Sequence, residues 1–403
     1  MSSKDWYEYE LGQLLNFKRG HDLPKNSMVE GKVPVIGSNG IIGYHNIATT
    51  NAPCITIGRS GNIGKPLYIN SDGWAHNTTL YVEDYKDNYP LYLYYLLKTL
   101  DFGHYGGGSA VPTLNRNHIH PIKVYATKNI YEQKAIAGTL SCLDNMIELN
   151  NRTNQVLEEI AQTIFKRWFV DFEFPNEDKE PYKSSGGEMV DSELGEIPKG
   201  WRVKTLGEFC EIKKGLSYKG KHLSVDGIPM INLGNVQPGG EFRYDKIKYY
   251  NGEYKERHIV KNGDIIIANT DITSDRVILG SPIIVPELTK GDIIFTHHLF
   301  AFGKLALPKS FLYYYLKSKA FRERAESYVT GTTVLALSKD AILSIKLIIP
   351  DDKGFIKFCE LTDVLVKLKE ANIQETHELE TVRDTLLPKL MSGEIRVPVE
   401  EVV

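Results

Sequence analysis

Tyr131 to Phe172 reads YEQKAIAGTLSCLDNMIELNNRTNQVLEEIAQTIFKRWFVDF, a stretch with no proline, one glycine and large apolar residues near every third or fourth position. That period belongs to a helix. With heptad position a at Ile136, the residues Leu143, Asn150, Leu157 and Ile164 also fall at a, and Leu140, Ile147, Ala161 and Trp168 form the second row of one seam. Asn129 is placed to cap the helix, and Glu132 is expected as the return half of a capping box. About thirty paired residues at ~1.5 Å each make a rod of roughly 45 Å. So long and one-sided a helix needs a partner.

Phe355 to Met391 supplies one. Phe358, Leu365, Asn372, Leu379 and Leu386 repeat the seven-residue spacing, and Leu361, Leu368 and Val382 are read as the row beside them. A shift of 222 residues lays Asn150 on Asn372, Leu157 on Leu379 and Ile164 on Leu386. A polar residue at a costs stability and fixes register, and here it recurs at the same place in both copies.

The duplication extends to the rest of the chain. WYEYELGQLLNFKRG from Trp6 is answered by WRVKTLGEFCEIKKG from Trp201, so that Arg19-Gly20 meets Lys214-Gly215. Pro34-Val35-Ile36 then meets Pro229-Met230-Ile231, Leu93-Tyr94-Tyr95 meets Leu312-Tyr313-Tyr314, and Gly108-Ser109-Ala110-Val111 meets Gly331-Thr332-Thr333-Val334. The growing shift makes the second unit about thirty residues longer than the first. Short apolar runs such as 54–57 and 264–267, bounded by Gly, Asn, Asp and Pro, read as strands. Residues 91–100 and 311–326 read as helices. The expected fold is α+β: two globular α/β units related by a pseudo-two-fold, separated by two long antiparallel helices that form a coiled coil. The boundaries are 1–127 for the first globular unit, 128–176 for the central helix, 177–198 for a polar linker, 199–349 for the second unit, and 350–403 for the C-terminal helix and tail.

Composition excludes several classes. No apolar run reaches the ~18 residues of a membrane span, and no basic-then-apolar leader opens the chain, so a cytoplasmic protein is expected. Four cysteines without CxxC pairing argue for reduced thiols. The net charge of -3 hides a division: residues 1–127 carry 11 Lys and Arg against 10 Asp and Glu, and residues 190–350 carry 23 against 18. Positive charge therefore lies in the globular units and negative charge in the helices, which assigns any DNA-facing role to the former.

No catalytic pattern completes itself. Gly58 to Lys65 has the wrong spacing for a phosphate loop, and Pro66 stands where Ser or Thr is needed. Asp101-Phe102-Gly103 lacks its kinase partner motif. His118 and His120 lack further metal ligands nearby, and no metal is expected. A methyltransferase tetrapeptide of the DPPY or NPPF kind, GxSxG and HExxH are all missing. Polar loop residues are plentiful instead. Arg reads guanine N7 and O6, Asn reads adenine N6 and N7, and Lys suits phosphates. The DNA-contact candidates are Lys18, Arg19, Ser38, Asn39, Arg59, Ser60, His76, Asn77, Ser109 and Arg116 in the first unit. In the second they are Lys214, Lys219, Asn232, Asn235, Asn269, Arg276, His297, His298, Thr332 and Thr333.

The run Glu132 to Phe172, then Leu194-Gly195-Glu196-Ile197-Pro198-Lys199-Gly200-Trp201, then Leu386-Leu387-Pro388-Lys389-Leu390-Met391-Ser392-Gly393-Glu394-Ile395 resembles the specificity subunit of type I restriction-modification systems. Pro34 to Gly40 and Gly331-Thr332-Thr333 are similar to patterns of its target-recognition domains, and the resemblance covers essentially the whole chain. It implies a non-catalytic subunit that recognises a bipartite target in double-stranded DNA, one domain per half-site. The helices would set the gap and dock two methyltransferase subunits, which restriction subunits join. S-adenosylmethionine, ATP and Mg would belong to those partners, with no cofactor on this chain. The competing readings are a coiled-coil scaffold for proteins, which would lack salt-dependent DNA affinity, and a self-sufficient methyltransferase or nuclease.

Overall fold

Two helices of forty residues each, Ile130–Phe169 and Asp352–Met391, carry the heptad pattern. The computed structural model describes residues 6–105, 113–271, 277–331, 335–350 and 352–398. Its chain divides into two units, Met1–Arg152 with Asn372–Val403, and Thr153–Ala371, so the division cuts both long helices. Each unit therefore owns a segment of either helix.

Asn129 caps the first helix as expected, its Oδ1 accepting from the amides of Tyr131 at 3.0 Å and Glu132 at 3.3 Å. Glu132 does not complete a capping box. Its buried carboxylate accepts from Trp6 Nε1 at 3.1 Å and pairs with Arg396 Nε at 2.5 Å, while the Asn129 amide donates to Thr127 Oγ1. The ion pair with Arg396 and the bond from Trp6 hold the carboxylate away from the Asn129 amide. The helix also stops before Phe172, whose φ of 63° is left-handed.

Within each unit the helix segments run antiparallel. In the first, Asp144 pairs with Arg383 at 2.9 Å and Asn150 donates to Glu375 at 2.9 Å. In the second, Glu158 meets Lys369, while the rings of Phe165 and Trp168 lie 5.8 and 6.3 Å from that of Phe358. The expected inner rows of the first helix are buried or half-buried throughout. The second helix corrects the sequence reading: Leu361, Leu368 and Val382 are exposed, and its inner second row is Thr362, Lys369, Thr376, Arg383 and Leu390. This row lies four residues after each a position, as Leu140, Ile147, Ala161 and Trp168 do in the first helix. The apolar residues at the wrong offset were the more conspicuous.

In the first unit Asn16–Arg19, Thr79–Asp84, Cys54–Gly58 and Pro66–Ile69 form an antiparallel sheet in that order. Beside it Gly40–His45, Val33–Gly37 and Trp74–Ala75 form a second sheet whose last pair is parallel. The second unit repeats this with Glu211–Lys214, Leu299–Gly303, Ile265–Ala268 and Pro282–Ile284, and again with Lys248–Tyr250, Ile228–Ile231 and Ile293–Phe295. Its added length includes two further strands on that second sheet, Leu223–Ser224 and Ile259–Val260. One expected helix is two, Lys309–Lys317 and Lys319–Glu326, because Ser318 ends the first and its Oγ caps the second through the Phe321 amide at 3.2 Å. The linker is ordered where Phe174 stacks between Tyr182 and Trp201, with centroids at 4.6 and 4.9 Å.

Both cores take residues from both helices. Phe17, Ile55, Leu93, Ile136, Leu140 and Leu390 share one core, and Phe165, Trp168, Trp201, Phe311 and Phe358 share the other. Burying such side chains contributes about 1.5–3 kcal/mol apiece, so the helices act as walls of the units they serve. Among the described residues no helix is long and apolar enough to cross a membrane.

Candidate nucleic-acid interface

Some of the polar candidates meet where three backbone segments come together, and both units build the meeting place with the same hydrogen bonds. In the first unit the Arg59 amide donates to Thr78 O at 2.8 Å, Leu114 N to Arg59 O at 2.8 Å, and His76 N to Ile36 O at 2.9 Å. In the second, Asn269 N donates to His298 O at 3.1 Å, Leu337 N to Asn269 O at 2.9 Å, and Thr296 N to Ile231 O at 2.9 Å. Arg59 is therefore the positional equivalent of Asn269. By the same register His76 matches Thr296, Asn77 matches His297, and Thr78 matches His298.

This frame explains the glycine of each Arg-Gly or Lys-Gly pair. A Cβ on Gly20 would lie 2.1 Å from His76 O, and one on Gly215 would lie 2.2 Å from Thr296 O. Only glycine permits so close a backbone approach, which carries the preceding Arg19 or Lys214 to the same end of the sheet.

In the first unit Ser38 joins Arg59 and His76 at this place, its amide donating to Thr78 Oγ1 at 3.3 Å. The His76 ring shares that hydroxyl at 3.0 Å. Asn77 donates to Asp22, and Arg59 Nη1 reaches Asn77 O at 3.4 Å. Burial, and then the neighbouring Arg19, lower the Arg59 guanidinium from its ordinary pKa; two cations held near each other invite an anion or a base edge rich in acceptors. Ser60 bridges to Thr113, and Asn39 is exposed at the Ser38 turn. Lys18 is paired with Glu83 at 2.6 Å, and Arg116 Nη1 lies 3.5 Å from Phe17 O.

In the second unit His298 Nδ1 shares a proton with Thr270 Oγ1 at 2.9 Å, and burial followed by His297 lowers its pKa. The His297 and His298 rings are 4.0 Å apart. Lys214 and Lys219 are exposed. Asn232 and Asn235 are placed differently from the sequence expectation: both are buried and fully engaged. Asn232 Nδ2 donates to Lys246 O and Asn235 Nδ2 to Arg243 O, and Asn235 Oδ1 accepts from Asn232. They hold a turn together. Ser109, Arg276, Thr332 and Thr333 lie outside the described residues.

The sequence reading missed Thr78 and Thr296, which join the cluster through register alone. Among the described residues no group of three His, Cys, Asp or Glu could hold a metal. His120 is occupied otherwise, its Nε2 accepting from the Phe17 amide at 3.1 Å.

Comparison with known proteins agrees with this duplicated frame. Residues 3–159 and 198–363 each match the model of the type I restriction modification DNA specificity domain. The type I restriction enzyme MjaIX specificity subunit of Methanocaldococcus jannaschii is 30% identical over 326 residues, covering 76% of this chain and 69% of the relative. The MjaVIII specificity subunit of the same organism is 24% identical over 98% of this chain and 94% of its own length. The crystal structure of the S subunit of a type I system from M. genitalium has a TM-score of 0.60 at 18% identity, with 97% of each chain covered, and shares the fold.

Proposed function

The chain belongs to the type I restriction-modification DNA specificity family, as a specificity subunit with two target-recognition domains, and we propose that each unit reads one half of a bipartite sequence in double-stranded DNA. The observation that carries this is the twice-built backbone frame, which presents different polar side chains at matched positions: Arg59 against Asn269, His76 against Thr296, Asn77 against His297. A common scaffold with exchanged donors and acceptors suits two different base sequences.

Chemistry belongs, in this reading, to partner subunits. Two methyltransferase subunits dock on the long helices and restriction subunits join them; S-adenosylmethionine, ATP and Mg are bound there, in the cytoplasm. Exposed apolar residues recurring at the 222-residue shift support two like docking places: Met146 with Leu368, and Ile160 with Val382. Single exposed apolar residues are ordinary; their recurrence at matched places is what favours a protein contact.

The test is to sequence methylated adenines in host DNA when the chain is produced with its methyltransferase subunits. A two-part motif with a fixed gap is expected. Removing residues 150–156 and 370–376 together keeps the helix pairing in register and shortens each helix by ~10 Å. The gap should then contract by about three base pairs at ~3.4 Å per step. A one-part motif, or a gap indifferent to the deletion, would count against the reading. Protein binding without salt-dependent DNA affinity would favour the scaffold alternative.

A further inference from the structure

Matched positions in the two units allow the bases themselves to be assigned. We infer that Arg59 and Asn269 are the position-matched specificity residues, Arg59 selecting a guanine in one half-site and Asn269 an adenine in the other. This rests on the reading that both units recognise DNA and adds the identity of what is recognised.

Backbone geometry comes first. Each residue follows an inner strand of its sheet, Cys54–Gly58 or Ile265–Ala268, donates its amide across to the matching turn and accepts at its carbonyl from the matching leucine, Leu114 or Leu337. Side-chain chemistry then differs. Arg59 carries a fork of donors; its Nη1 makes a long 3.4 Å contact with Asn77 O and Arg19 repels it, which leaves donors for guanine O6 and N7. Asn269 carries an amide whose oxygen and nitrogen match adenine N6 and N7.

The second unit also leaves polar atoms unsatisfied where the first does not. Asn269 Oδ1, Thr296 Oγ1 and His297 Nδ1 are buried without a hydrogen-bond partner. Their counterparts His76 and Asn77 are engaged by Thr78 and Asp22. An unsatisfied buried group is costly, and three on the turn whose twin holds the Arg59 cluster call for a partner from outside the chain. Asn269 is only 6% exposed, so the contact requires the adjoining surface to part when DNA binds. An adenine amino group donating to Asn269 Oδ1 removes part of that cost, which favours the opening.

The experiment compares the full chain, produced with its methyltransferase subunits, as wild type, Arg59→Ala and Asn269→Ala, and reads the motif from methylated host DNA. Arg59→Ala should relax one guanine position in one half-site by about 5- to 150-fold, the range expected of a bidentate base contact. Asn269→Ala should do the same at one adenine position of the other half-site, distinct from the methylated base. In each variant the untouched half-site must keep its preferences, which also reports that the chain is folded and assembled. If Asn269→Ala does not assemble, Arg59→Asn carries the test by replacing that guanine preference with adenine. An unchanged motif, or equal loss at every position, overturns the assignment while the wild-type two-part motif upholds the broader reading. Absence of a two-part motif in the wild type overturns both.

Discussion

The two places where a globular unit meets its long helices are built on the same lysine and solved in opposite ways. Lys98 and Lys317 end equivalent helices, Pro90–Lys98 and Lys309–Lys317. In the first unit Lys98 lies 3.9 Å from Asp144, which Arg383 binds at 2.9 Å and Tyr95 Oη at 2.7 Å. In the second, Lys317 and Lys369 grip separate oxygens of Glu158, both at 2.5 Å. The side chains of Lys98 and Asp144 keep about a quarter of their exposure, 26% and 28%, whereas Lys317 and Glu158 keep 4% and 10%. One junction is wet and the other nearly dry.

The reason lies in which helix bears the acid. Asp144 and Glu158 are both on the first helix, while Arg383 and Lys369 are both on the second. Tyr95 consequently finds a carboxylate within reach, and its counterpart Tyr314 has a buried hydroxyl with no partner. Duplication alone would have given each junction the same arrangement. The charges instead favour the first helix against the second over either against its like, because like with like would separate each acid from its base.

The largest expected effect comes from Glu158→Ala, which strands two lysines in the dry junction and should destabilise the second unit by about 3–5 kcal/mol. Hydrogen exchange should show the amides of 311–316 losing protection while those of 91–97 are retained. Equal loss in both units would remove the distinction between the junctions.

Acid should act through the same group. Burial raises the Glu158 pKa, but Lys317, Lys369 and Gln162 outweigh it and hold the carboxyl at about 2, below its ordinary 4.5. Burial lowers Lys317 against the pull of Glu158; the two short contacts to separate oxygens favour the ionised cluster. A depressed carboxyl stabilises the fold above its unfolded pKa, and that stability is lost as pH falls from about 4.5 through about 2. The loss amounts to ~3 kcal/mol, and it should be absent from Glu158→Gln. Parallel acid titrations of the wild type and that variant would sink the assignment.

Asp144→Ala is the mildest, at about 1.5–3 kcal/mol, since Arg383 keeps Asp384 at 2.9 Å and Lys98 remains near water. A melt of the first unit shifted as far as Glu158→Ala shifts the second would show the two junctions to be equally dry.

Much of this architecture was legible beforehand. The helices, the duplication and the strand runs showed because hydrophobic period and turn residues are local properties. The candidate site was legible only as residue types. Arg59, His76 and Asn269 stood out as polar residues in loops, but nothing local distinguished them from Asn232 and Asn235, whose amides are spent on their own turn. The inner row of the second helix was missed for a related reason: Thr362, Lys369, Thr376 and Arg383 do not look like core, and only the partner's acids and the packed ring of Phe358 make them so.

Taken alone, the order of residues determined that this protein is a doubled module of α/β unit and long helix, and which residue types could meet DNA. Register across strands, the opposition of Glu158 to Lys317 and Lys369, and the equivalence of Arg59 with Asn269 were decided by the tertiary structure. Each joins residues tens to hundreds of positions apart, and such pairs are fixed by packing and hydrogen-bond satisfaction, which no single stretch of chain contains.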